Sequence, residues 1–518
     1  MRMSPPGATS GGPGVSRRRR RRPMTRRPGT MRKAITALAA VLILAGCAVG
    51  PDYQAPEMDL PEAWPESSLL ADGERAAWVD WWKRFDDPTL NQLVERAVAN
   101  NLDIRLQAAR LEEARARLGM ASAEQLPTVD LQAEAARERG PATLQPAFPG
   151  VEPRARTDNL FSVSGVLGYE IDLFGRLARE REAAEAFLLE NVFSQDAVRL
   201  NLIADVVTTY FDLRAAQQQL AITENTLVSR EETYALERVR YEAGETDELT
   251  LRQAEAELQS TRAEIPLRQE QVSTLEGVLG VLVGMSPAEL MTLDEMDLGE
   301  YTPLEAIHLP EDLPATLPSE LLERRPDVRA AEAELMAATA AIGVAQAERL
   351  PRLNLTALLG TAATDTSDLF TGAAETWGLG SSVAGPLFDF GRGRAGVEAA
   401  EAMAAQSRAR YQATVISAFN EVRDALSLYR TSSQRAQAIR AQVAAVERTS
   451  QLAELRYQEG FIGFIEVLDA QRSLLAAELA LAEAVRDQLN ATATLFKALG
   501  GGWAQPDPPA DDARDEPG

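Results

Sequence analysis

Glu466, Asp469 and Arg472 stand three positions apart near the C-terminal end of the chain, a spacing that puts all three on one face of a helix. Read from spacing alone, such a stripe is an exposed intrahelical ion pair, worth under about 1 kcal/mol. Little else in the chain could do chemistry. Cys47 is the single cysteine and His308 the single histidine. That excludes internal disulfides, cysteine-based metal clusters, histidine triads and multi-histidine metal sites. His308 lies in the Pro-rich stretch HLPEDLPATLP and reads as a solvated loop residue. Most carboxylates fall in helical charge patterns, as they do on wet helix faces. No catalytic and no metal-binding residue is assigned, and the chain reads as a non-enzyme.

Charge narrows the partners. The chain carries 53 basic and 77 acidic side chains. Eleven of the basic ones and none of the acidic ones lie in positions 1–46, so the remainder carries 42 against 77, a net of −35. A mature chain this acidic repels nucleic acid, so neither DNA nor RNA is an expected partner. Met31 to Cys47, MRKAITALAAVLILAGC, has a short basic start, an apolar stretch and small residues before the cysteine. This is a secretory signal pattern, too short to span a bilayer comfortably. Its ending, Leu44-Ala45-Gly46-Cys47, resembles the bacterial lipobox, in which the cysteine is acylated and becomes the first mature residue. The resemblance makes Cys47 the expected lipidation site, and a covalent lipid there the only non-protein group expected. By resemblance to lipoprotein sorting, Ala48 in place of aspartate points to the outer membrane. A single lipid anchors a chain and does not span the bilayer. The upstream run SRRRRRRPMTRRPGT is either a long basic region or the result of a start placed too early. The second reading is favoured, with Met24 or Met31 rather than Met1 as the start.

The elements that would position the charged stripe are written twice. LERVRYEAGETDELTLRQAEAELQSTRA (Leu236 to Ala263) returns as LAELRYQEGFIGFIEVLDAQRSLLAAEL (Leu452 to Leu479), with Tyr241 and Gly244 reappearing as Tyr457 and Gly460. A repeat on this scale marks a duplicated architecture. In the first half a helix is expected from Asn91 to Gln125, ended by Pro127. TVDLQAEAA and LFSVSGVLGYEIDLFG then alternate as strands do, separated by a polar stretch from Arg137 to Asp158. A helix of roughly 66 residues follows from Arg176 to Gly244, about 100 Å long. The second half repeats the order: a helix from Ser319 to Pro351, strand candidates RLNLTALLG and WGLGSSVAGPLFDFG, and a long helix from Arg392 to Glu459. DLFGRLARE and FDFGRGRAG read as strand-to-helix junctions, not phosphate loops, because GRGRAG lacks the strand–GxGxxG–helix context. Four strands with open edges need closure, and three copies would make a 12-strand membrane barrel. The rival on periodicity alone is a soluble β-layer capping a helical bundle.

AVGPDYQAPE after Cys47, RPDVRAAEAEL, GPLFDFGRGR and LDAQRSLL, in that order, resemble the TolC-type outer-membrane factor family. More narrowly, the chain is similar to the OprM/NodT-like branch of efflux outer-membrane lipoproteins from Cys47 to about Leu499. The resemblance implies a mainly α homotrimer with four strands per protomer, a 12-strand barrel in the outer membrane and a helical tunnel through the periplasm. It also implies a periplasmic adaptor (membrane fusion) protein and an inner-membrane pump, most often of the proton-driven resistance–nodulation–division (RND) class. The same duct could serve a type I secretion system or an ABC exporter. A structural coiled-coil lipoprotein without a pore is the rival from another class. In the family, hairpin tips dock the adaptor, which carries to Tyr241, Gly244, Tyr457 and Gly460. The Asp and Arg of LDAQRSL form the gate, which carries to Asp469 and Arg472, with Ile465 as an apolar constriction and Glu466 beside it. The first-repeat positions aligned with Glu466, Asp469 and Arg472 are Thr250, Gln253 and Ala256, so charge is expected mainly in the second hairpin.

The expected division is a leader (1–46), a lipidated arm (47–90), a first repeat (91–284), an equatorial segment (285–318), a second repeat (319–499) and a tail of disorder-like composition (500–518).

Overall fold

The computed structural model describes residues 48–64, 70–71, 79–144, 155–292, 303–310, 313–314 and 317–501. The leader, the expected lipidation site Cys47 and positions 502–518 of the tail lie outside the described residues.

The first repeat begins with α1 (Pro88–Asn100) and α2 (Leu102–Ala123), where one helix was expected. Asn101 is the reason for the break. Its backbone turns to ψ 136°, and its side chain accepts from the amides of Asp103 and Ile104, capping a new helix. Strands β2 (Thr128–Gly140) and β3 (Arg156–Ile171) follow. Both run into the polar stretch expected to be loop, because Gly140 still pairs with Arg156. The long helix α3 (Arg176–Glu242) has 67 residues, and α4 (Glu248–Leu282) returns from it.

The middle segment holds the short helix α5 (Pro287–Met291) and strand β4 (Leu313–Pro314). β4 pairs in parallel with β1 (Leu70–Ala71) of the N-terminal arm. In the second repeat the expected single helix is again two, α6 (Glu320–Arg324) and α7 (Pro326–Ala347). Pro326 disfavours a helical conformation at Arg325 and is itself well suited to open a helix. Then come β5 (Arg352–Ala363), β6 (Glu375–Ala384), the 67-residue α8 (Arg392–Gln458) and α9 (Phe464–Ala498). β6 ends at Ala384, so GPLFDFG belongs to the junction and not to the strand. Gly500 and Gly501, expected in the tail, are buried and close α9: Gly500 has φ +78° and the Gly501 amide donates to the Phe496 carbonyl.

The sheet order is β2-β3-β5-β6, antiparallel throughout. Its register sorts the side chains. Val129 and Leu131 lie level with Leu167 and Gly165, these with Ala357 and Leu359, and these with Leu379 and Trp377. The large side chains of that set form one exposed apolar face. The opposite face carries Asp130, Gln132, Ser162, Ser164, Asn354, Thr356, Thr376 and Ser382. A sheet apolar on the outside and polar on the other side matches a barrel wall in lipid.

α3 is the spine of the helical part, packed along α2, α4, α7 and α9. The main core sits at its middle, where Val206, Tyr210 and Leu213 meet Trp81, Phe85, Val422 and Phe496. Trp81 stacks on Phe496, with ring centroids 5.4 Å apart and planes 12° apart. Buried Asp87 caps α1 through the amides of Thr89 and Leu90 and accepts from the Tyr210 hydroxyl at 2.6 Å. At the strand ends, Gly175 and Gly391 take φ of +75° and +88° and start the long helices. Asp389 accepts from the amides of Gly391 and Gly393 there.

Asp196 on α3 lies about 30 Å along the helix from its start. Burial pushes its carboxyl up to about 6, although Arg199 and Arg329 pull the other way. A carboxyl raised on folding contributes stability below its unfolded value near 4, and loses it as pH rises through about 6. Asp196→Asn should therefore flatten the fall in stability between pH 4 and pH 7. Thermal melts of both proteins across that range measure it, and parallel curves would contradict the assignment.

Candidate functional site

Both hairpin turns are built alike. α3 and α8 end at Gly244 and Gly460, with φ of +77° and +76°. The amides of Glu245 and Phe461 reach back to the carbonyls of Arg240 and Arg456, each at 2.8 Å. This is the glycine-dependent helix ending in which a left-handed residue satisfies the last carbonyls.

The tyrosines before these glycines differ. Tyr457 donates to Glu237 at 3.0 Å, lies under Arg240 and packs on Phe464 at 5.5 Å. Burial and the neighbouring Glu237 carboxylate push the Tyr457 hydroxyl up. With Ala254, Phe464, Leu468 and Tyr234 it forms a small core close to the turns. Tyr241 is 40% exposed.

Ile465, Asp469 and Arg472 share an exposed stripe of α9 at the i, i+4, i+7 spacing, flanked by buried Leu468 and opposite buried Val467. Glu466, also exposed, sits in the first turn of α9, where a negative charge suits the helix dipole. Arg472 reaches Asp469 at 3.4 Å, but its stronger partner is Glu257 of α4. Nε of Arg472 donates to Oε1 of Glu257 at 2.9 Å, and Nη2 donates to the same oxygen. The hydrogen bond to Glu257 raises the Arg472 guanidinium above its usual range, with burial opposing and Asp469 assisting.

Behind Glu257 lies Arg230 of α3, only 4% exposed at its side chain. Its Nη1 donates to Gln471, Nη2 stands 3.9 Å from Glu257, and among the described residues Nε has no hydrogen-bond partner. Burial lowers the Arg230 guanidinium, and nearby Arg472 adds to that while Glu257 opposes it.

The expectation that charge gathers in the second hairpin is thus corrected. The carboxylate holding Arg472 belongs to the first. Aligning the repeats points to Ala256, one position short of Glu257. The missed signal is height above the turn: Arg230 lies 14 residues before Gly244, Glu257 13 after it, and Arg472 12 after Gly460. At 1.5 Å per residue all three sit roughly 18–21 Å from a turn, on one level. Arg230, Glu237 and Gln471 were likewise not singled out from sequence. Asp469, Arg472 and Glu257 can hold two hairpins together by charge and can present a carboxylate to passing ions. Among the described residues no group of His, Cys, Asp or Glu could hold a metal ion.

The profile of the outer membrane efflux protein family matches residues 93–284 and 317–501. The solvent efflux pump outer membrane protein SrpC of Pseudomonas putida is 35% identical over 471 residues, covering 90% of this chain and 97% of its own. The cation efflux system protein CusC of Escherichia coli is 32% identical over 470 residues, with 90% and 97% covered. Among solved structures, the Campylobacter jejuni CmeC outer membrane channel superposes with a TM-score of 0.81 at 27% identity, covering 88% of this chain and 95% of that one. The one-faced sheet, the paired long helices and these likenesses agree: the chain belongs to the outer membrane efflux protein family, a duct of the outer membrane that extends into the periplasm.

Proposed function

We propose that three copies of this chain form the exit duct of a tripartite efflux pump, shut at its periplasmic end by the α9 stripe. Support for the trimer comes from the sheet. β2 and β6 each leave an edge unpaired within the chain, and a lipid-facing sheet requires closure. Cys47 is the proposed lipid anchor.

The observation that carries the gate is the Arg472–Glu257 link, which ties α9 to the other hairpin beside Asp469. Three copies would set three Asp469 carboxylates and three Ile465 side chains around one axis. Such a ring draws cations and raises a barrier to anions.

The hairpin tips are the proposed docking site of a periplasmic adaptor. Exposed Leu236 and Val239 recur 216 positions later as exposed Leu452 and Leu455. A partner meeting both hairpins would find the same apolar spacing twice. The adaptor would join the duct to an inner-membrane pump, for which the RND class is proposed. SrpC belongs to a solvent pump and CusC to a cation system, so cargo selection is assigned to the pump and not to the duct.

Single-channel recording of the purified chain in a planar bilayer tests the gate. Half-exposed pairs are worth about 0.5–1 kcal/mol each, so losing the three Arg472–Glu257 links should raise the opening frequency of Arg472→Ala about tenfold or more, with Asp469→Ala, whose pair to Arg472 lies within α9, changed less. Openings as rare as in wild type, from trimers that still resist detergent, would remove the gate from this stripe.

A further inference from the structure

We propose that Arg230 is the second seat of the Glu257 carboxylate: shut, Glu257 is held by Arg472; open, it passes wholly to Arg230. The inference rests on reading the tips as the gate and adds a positioning residue behind it.

Three observations support it. Arg230, Glu257 and Arg472 line one groove of about 690 Å³ between α4 and α9, so the carboxylate has room to turn between the two cations. Arg230 is buried and poorly satisfied, with Glu257 at 3.9 Å and Nε without a partner among the described residues. A buried guanidinium in that condition gains from any carboxylate that comes closer. Glu257 for its part has only 15% of its side chain exposed, so releasing Arg472 with no second cation would leave a largely buried charge alone.

α4 packs along α3, while α9 packs along α8 and α3. When α9 moves, Arg230 and Glu257 can therefore stay together on the first hairpin. Gln471 follows Arg472 outward, and the contact it gives up on Arg230 is the one the carboxylate takes over. The hand-over keeps one cation on Glu257 in both states, so opening strands no buried charge.

The consequence is a reversal of sign. Losing Arg472 removes the shut-state pair and favours opening, whereas losing Glu257 removes a partner from both states and shifts the balance least. Losing Arg230 removes the receiver, leaves Glu257 to Arg472 alone, and favours the shut state. A residue that merely braced the hairpin would loosen the tips when removed and open the pore.

The test is single-channel recording of the full-length chain carrying Arg230→Met, Glu257→Gln, Arg472→Ala, or Arg230→Met with Glu257→Gln. Arg230→Gln is the substitute should the methionine variant fail to assemble. Arg230→Met is expected to open about tenfold less often than wild type, the loss of one charge-assisted partner in one of two states. Arg472→Ala should open more often, and Glu257→Gln, which loses a partner in both states, should move least from wild type. Adding Arg230→Met to Glu257→Gln should change nothing further, because no carboxylate remains to be shared. An Arg230→Met channel that opens more often overturns the hand-over and leaves the gate standing. If Arg472→Ala opens as wild type does, the gate and the hand-over fall together.

Discussion

Gly360→Val should abolish the assembled barrel. Gly360 lies in β5 opposite Ser164 of β3. A Cβ built there would stand 2.3 Å from the Val163 carbonyl oxygen and 2.6 Å from Ser164 Cα. Both are backbone atoms of a paired strand, so no side chain can turn aside. The strands must part or shift register, and a one-residue shift would turn the apolar face of β5 to the polar side. The expected result is loss of the detergent-resistant oligomer on unheated gels, with the chain found as monomer or aggregate. Gly380→Val is the control, because nothing lies within 4 Å of the Cβ that residue would gain. Valine otherwise favours strands, so a defect in the first variant and not the second isolates the close approach. Intact oligomers in both would show that β3 and β5 are not packed as described.

Arg325→Ala should destabilise the helical part more than any substitution at the tips. Arg325 has 8% of its side chain exposed and joins three helices. It forks onto Asp327 at 3.0 and 2.6 Å, reaches Glu421 of α8 at 2.8 Å, and donates to the Ala498 carbonyl at the end of α9 at 3.1 Å. Breaking a buried ion pair by removing one partner costs about 3–5 kcal/mol. Asp327 and Glu421 are 39% and 50% exposed and regain water, so about 2–3 kcal/mol is the better expectation here. Arg325→Lys should recover only part of the loss, since an ammonium cannot serve the fork and the carbonyl together. Thermal dissociation of the purified oligomer measures this. An unchanged midpoint for the alanine variant would mean the end of α9 is held by other contacts.

The architecture was legible where the sequence punctuates strongly. Gly244 and Gly460 stop uninterrupted helical patterns, Pro127 and Pro351 separate helices from alternating strands, and Gly175 and Gly391 mark the passage back into helix. The breaks at Asn101 and at Arg325–Pro326 were missed for a common reason. Helical periodicity continues across each, and only a side-chain cap or the constraint before proline interrupts it.

The site was legible in half. Asp469, Arg472 and Ile465 share a stripe by spacing alone, which helix geometry supplies. Glu257 did not emerge, because its bond to Arg472 spans 215 residues and depends on how two hairpins lean together. Repeat alignment compares positions related by duplication, whereas the bond joins positions related by packing. Tyr241 and Tyr457 show the same limit: equal in sequence, they differ in burial because Glu237 and Arg240 face only one of them.

The unpaired edges of β2 and β6 also govern inheritance. A copy whose edges are sound but whose tips are faulty still takes its place in the ring and removes one of its three links. Its allele is felt in a mixed cell, where wholly sound ducts decline as the cube of the wild-type share. A copy whose edges are ruined is never admitted, and its allele is recessive.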